Sequence, residues 1–214
     1  MKIVVIFIVL ILVVAGVYFF TNSLQAPTEE STGQDNLVLN EDLNTNIEDG
    51  SYVVDQDKSS LNWQAERIVG SSHTGDIPVT GEIEVSGDNP GGTIIFDVSN
   101  ITSNNETLTG HLKTADFFEV EKYPTSTLEI SSVSASNISG KLTIRDVSKD
   151  ISVPVEISDQ DGQVVITGKT VINRTDYGIV YESGSFFKEI GDKAIIDNVN
   201  VSFVLVLDKN TETE

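Results

Sequence analysis

Residues 138–158 read ISGKLTIRDVSKDISVPVEIS. Within it Leu142, Ile144 and Asp146 fall on one side, with Thr143 and Arg145 on the other. Val153, Val155 and Ile157 line up in the same way. A repeat of two residues is the period of a β-strand with one face in a core and the other in water. RDVSKD, between the two runs, reads as a hairpin loop.

The same texture extends in both directions. Short β-branched runs, separated by Gly, Asn, Asp and Ser, occur at 52–55, 60–69, 77–85, 92–99, 126–133, 163–172 and 198–207. In GEIEV, Ile83 and Val85 share one face while Glu82 and Glu84 share the other. SDQDG (158–162) has the composition of a turn. Eight or more such strands at short spacing point to an antiparallel sandwich or barrel. One segment departs from the pattern. In NETLTGHLKTADFFEVEKYP (105–124), Leu108, His111, Leu112 and Ala115 recur at three- and four-residue intervals, which predicts a short helix closed by Pro124. The β domain is expected at 51–208, followed by a disordered tail at 209–214.

The chain has 214 residues, with 33 acids against 13 Lys and Arg, for a net charge of −20. That charge repels phosphate backbones and argues against a nucleic-acid partner. The absence of Cys excludes disulfides, thiol catalysis and Cys-ligated metal centres. Residues 3–20, IVVIFIVLILVVAGVYFF, carry no charge. At about 1.5 Å per residue they would span roughly 27 Å as a helix, close to the hydrocarbon thickness of a bilayer. Residues 1–20 are therefore expected to be a transmembrane signal-anchor, with a cleaved signal peptide as the alternative. Lys2 precedes the span and no further base appears before Lys58, which places the domain outside the cytoplasm, on the periplasmic or extracellular side. Residues 21–50 hold seven acids and no base, and read as a disordered acidic tether. The remaining 26 acids and 12 bases give residues 51–214 a charge of −14.

Few residue groupings suggest catalysis. His73 and His111 are the two histidines, too few for a multi-His metal site, and no G-x-S-x-G elbow is present. Arg67, Arg145 and Arg174 sit in strand-like runs, where each can be an outward residue paired with an acid or a partner for an anion. A closed barrel of about eight strands either packs its interior or holds one small ligand, and periodicity does not choose between them.

Four blocks resemble the YceI-like domain family. GHLKTADFFEVEKYPTSTLEISSV (110–133) carries an His-Leu-Lys run, then Asp-Phe-Phe, then Tyr-Pro-Thr entering a strand. SGKLTIRDVSKDISVPVEI (139–157) is similar to the family's strand–hairpin–strand segment, and residues 173–206 to its closing segment. At the front, residues 51–85 contain Gly70-x-x-His73-x-Gly75, which resembles one subgroup. Leu128 stands where a Phe is often found. The resemblance implies an eight-stranded antiparallel lipocalin-like barrel with one short helical insert. It also implies an apolar lumen for a polyisoprenoid or related amphiphile, with no catalytic activity. Candidate lining residues are Trp63, Phe96, Phe117, Phe118, Tyr177 and Phe187, with His73, His111 and Arg174 at a polar mouth. The partners expected are a long-chain lipid and the membrane, with no cofactor and no metal; a homodimer stays open. A ligand-free structural or adhesive envelope domain and a lipid-acting hydrolase are the alternatives.

Overall fold

The computed structural model describes residues 47–87, 90–160 and 162–210. The expected anchor, most of the tether and the last four residues of the tail lie outside them. None of the described helices is long and apolar enough to cross a membrane.

Ten strands form one sheet: β1 (Gly50–Val54), β2 (Ser60–Glu66), β3 (Ser72–Asp76), β4 (Val79–Val85), β5 (Gly91–Asp97), β6 (Thr125–Val133), β7 (Asn137–Ile144), β8 (Val147–Gln160), β9 (Gln163–Asn173) and β10 (Asn198–Lys209). Each of β4 to β9 pairs antiparallel with the next strand in sequence. Closure comes from β10, which pairs with β1 at one end, Val54 opposite Leu207, and with β2 further along, Ser60 opposite Val204. β1 and β2 are thus one barrel strand broken by a turn. Asp55 holds that turn, its Oδ1 accepting from the N–H groups of Asp57 and Lys58. β3 and β4 are a second broken strand: β3 pairs with β2, and β4 with β1 and β5. The break falls at Ile77–Pro78, where proline has no N–H for the ladder. Ten segments therefore fill the eight positions of a closed, up-and-down antiparallel barrel.

Four local expectations are revised. β3 (SHTGD) was not legible, because its inward positions are His73 and Gly75 rather than a β-branched pair. Its free edge is covered by the segment after β5, where the Thr102 N–H donates to Asp76 O and the Asn104 N–H to Thr74 O. RDVSKD is not a loop throughout. Ile144 pairs with Val147, and Ser148, Lys149 and Asp150 are already in register with β7, leaving Arg145 and Asp146 as the turn. Arg145 takes a φ of 58° there, and its side chain grips Glu119 at 2.9 Å. The helix α1 is Glu106–Leu112, capped by Asn105 accepting from the Leu108 N–H at 3.0 Å. Ala115 lies in the turns beyond it. The start of the barrel also takes in residues given to the tether. Ile47 packs on the core, and Glu48 pairs with Lys209.

Two apolar clusters divide the interior. One, including Tyr52, Ile83, Ile94, Ile130, Val164 and Leu207, packs the end of the barrel where β1 meets β10. The other, Trp63, Ile101, Leu112, Phe117 and Ile179, stands under α1 and the loops at the opposite end.

Candidate functional site

Between these clusters lies a cavity of about 250 Å³. The inward row of β10 traces its length: Val199, Val201, Phe203 and Leu205 all line it. At about 3.4 Å per residue, those positions cover roughly 20 Å of strand. The cavity is therefore elongated.

Its wall is graded. Toward the packed end the lining is hydrocarbon, with Ile83, Ile94, Ile130, Ile138, Val153 and Leu205. The polar lining residues are Glu66, Arg67, His73, Ser126, Thr170 and Arg174. They come from the end of β2, the start of β3, the start of β6 and the end of β9, all at the helix-capped end. Gly168, midway along β9, makes room for an aromatic ring beside the lumen. It lies opposite Phe203, whose ring crosses the glycine so closely that a Cβ there would fall 2.4 Å from Cζ.

The wall also loosens on one side. Pairing between β8 and β9 stops at Val155 opposite Gly168. The Val155 N–H points to the β7 side, donating to Ser136 O at 2.9 Å. Alternation along a strand then aims position 154 at β9, and Pro154 has no N–H to give. Beyond it the lumen is bounded by Ile151 and Val153 on one lip and by Thr170 and Ile172 on the other.

Six of the nine residues singled out in the sequence meet on this lumen: Trp63, Phe96, Phe117, Phe118, His73 and Arg174. Trp63 is buried, with its indole N–H donating to Thr102 O at 3.2 Å. Three residues stand elsewhere. Tyr177 is buried in a 3-10 turn (Arg174–Tyr177) off the lumen, and burial pushes its phenol above the ordinary value. Phe187 is 49% exposed. His111 sits on α1, edge-on to Phe117 and Tyr181 with centroids 5.1 and 4.8 Å away, and holds Asp116 at 2.8 Å. It braces the cap from outside. Ser126, Thr170 and Glu66 were missed, because a lone polar residue in a strand carries no sequence signal until its face is known.

Arg174 is 6% exposed, not outward-facing. Nη1 donates to Ile179 O at 3.0 Å and Tyr181 O at 2.8 Å; Nη2 donates to Ile195 O at 3.2 Å and Asp197 Oδ1 at 3.1 Å. Burial pushes the guanidinium below its ordinary value, while Asp197 and Glu182 oppose that shift. Four bonds from one side chain pin the segment 179–197 across the barrel end. Arg67 bridges Glu182 at 2.7 Å and also donates to Lys193 O.

His73 lies between Ser71 Oγ at 3.1 Å and Asn104 Oδ1 at 3.3 Å. The array has a hydroxyl and an imidazole, but its third member is a neutral amide, which supplies no charge to stabilise an imidazolium. Among the described residues no cluster of His, Asp and Glu is suited to hold a metal.

Comparison with known proteins agrees with this architecture. The UPF0312 protein SA2479 of Staphylococcus aureus strain N315 is 32% identical over 144 residues, covering 60% of this chain and 82% of that protein. The UPF0312 protein MW2606 of strain MW2 is 33% identical over the same shares. Among solved structures, BcnA of Burkholderia cenocepacia matches with a TM-score of 0.61 at 19% identity, over 72% of this chain and 98% of that one. A polyisoprenoid binding domain of Saccharophagus degradans, implicated in plant cell wall breakdown, matches with a TM-score of 0.60 at 16% identity, over 74% and 98%. The model of the YceI-like domain matches residues 52–207, all but the outermost two residues at each end of the closed barrel, and the chain belongs to that family.

Proposed function

We propose that this protein binds a polyisoprenoid or similar long-chain amphiphile in its barrel lumen, with the tail toward the packed end and the head toward the helix-capped end. The graded wall of the lumen carries this reading. Each methylene-sized group moved from water into such a lumen contributes about 0.8 kcal/mol. Ten of them supply about 8 kcal/mol, an upper bound before the cost of immobilising the chain. The Saccharophagus neighbour, described as a polyisoprenoid binding domain, supports the same ligand class. The interior is not filled by its own side chains, which favours this reading over a ligand-free envelope domain. We further propose that residues 1–20 anchor the chain, that the acidic segment after them tethers an extracytoplasmic barrel, and that the bound lipid is sequestered or carried there.

A thermal-denaturation series on the detergent-solubilised full chain tests the binding claim. Geranylgeraniol is expected to raise the melting temperature in a saturable way. No shift with prenyl or alkyl chains of any length would refute it.

A further inference from the structure

One hydroxyl inside the lumen has no use in the fold. Ser126 is 4% exposed, and its Oγ has no hydrogen-bond partner among the described residues. It belongs to the inward row of β6 with Leu128 and Ile130, opposite Phe96 of β5, and it lines the cavity. Ile130, in the packed end, lies four positions further along the strand, about 14 Å away. A hydroxyl removed from water without a partner destabilises a fold, and alanine would fit the same place without that cost. Arg174, which follows β9 on another side of the lumen, carries a second unpaired group. Its four other N–H bonds are used, but Nε has no partner among the described residues.

The charges around the lumen restrict what these groups meet. Among the described residues, Arg67 and Arg174 are the Arg and Lys residues on its wall, and each is already paired with an acid, Glu182 and Asp197. Glu66 lines the cavity as well. Two arginines stand with three acids, so a phosphate or pyrophosphate would meet no uncommitted guanidinium or ammonium group. A neutral oxygen needs none: the Ser126 hydroxyl can donate to it.

We propose that Ser126 is a selecting residue of the lumen, and that the group it selects on the bound chain is a neutral oxygen, an alcohol or a carbonyl. This inference rests on the lipid-binding reading above and deepens it. The test uses the full chain in a non-ionic detergent and three C20 probes: geranylgeraniol, geranylgeranyl pyrophosphate and the hydrocarbon phytane. Bound probe is quantified by native mass spectrometry for the wild type, Ser126→Ala and Ser126→Thr. Comparing variants for one probe cancels its partition into detergent. Ser126→Ala is expected to weaken the alcohol about 3- to 10-fold, the range of one neutral hydrogen bond, and to leave phytane within about 2-fold. Ser126→Thr, which keeps a hydroxyl, is expected to restore the alcohol. Equal loss of alcohol and phytane, or no loss of either, would overturn the selecting role; so would pyrophosphate as the tightest ligand. If none of the three probes binds the wild type, the lipid-binding reading itself fails, and the selection with it.

Discussion

Gly168→Ala tests whether the lumen's shape sets its affinity. A Cβ at this position would lie 2.4 Å from Phe203 Cζ and 2.9 Å from Cε1. It would also lie 2.9 Å from Pro154 O, which is backbone and yields little. The ring must therefore move, and the free space beside it is the lumen. Displacing three methylene-sized groups of a bound chain costs about 2.4 kcal/mol at 0.8 kcal/mol each. That is a loss of about 50-fold in affinity. The strain on the fold itself is expected to be about 1–3 kcal/mol, the usual range for an overpacked interior. Competitive titration of a long-chain alcohol against a fluorescent fatty probe measures the first quantity, and urea denaturation the second. Gly168→Ala combined with Phe203→Leu gives back the space, so the double variant is expected to regain most of the affinity. A fold destabilised as expected with affinity unchanged would refute the reasoning, because ring displacement would then leave the ligand untouched.

Further outcomes follow from other contacts. Arg174→Met leaves Asp197 without its cationic partner, with only Ser185 Oγ still donating to it, and three carbonyls without a donor, and is expected to destabilise the protein by about 3–5 kcal/mol in urea denaturation. Asp97 gives a pH dependence. Burial pushes its carboxyl up, but hydrogen bonds from Ser99 and Asn100 outweigh burial and hold it below its ordinary value. Its contribution is then complete above the unfolded value of about 3.9 and is lost as the pH falls through the lower folded value. Urea midpoints of Asp97→Asn are expected to fall less between pH 5 and pH 3 than those of the wild type.

The strands that alternate cleanly, such as GEIEV in β4 and SVPVEI in β8, were legible because one face meets oil and the other water. β3 was hidden by His73 and Gly75, which supply no apolar face. The polar start of β8 read as loop because Ser148, Lys149 and Asp150 are exposed, although their backbones are fully in register with β7. Trp63 and Phe96 could be placed on the lumen because they stand at inward positions of legible strands. Phe187 and Tyr177 could not, since the segment from 174 to 197 is irregular and no periodicity assigns its faces. Burial of Arg174 depends on acceptors five to 23 residues away, at Ile179 and Asp197, which meet only once the barrel end has folded. Ser126 needed the opposite step: the register of β6 had to be known before an ordinary strand serine became a hydroxyl inside an oily cavity.

The central claim is that the lumen holds a long-chain lipid, and the most direct measurement is the mass of the intact chain. Native mass spectrometry of the full chain, released from mild detergent after purification from a bacterial membrane, is expected to show an adduct of one lipid per protein. Organic extraction should remove the adduct and yield a long-chain species on its own. A spectrum holding only the bare polypeptide, unchanged after incubation with prenyl alcohols, would contradict the account.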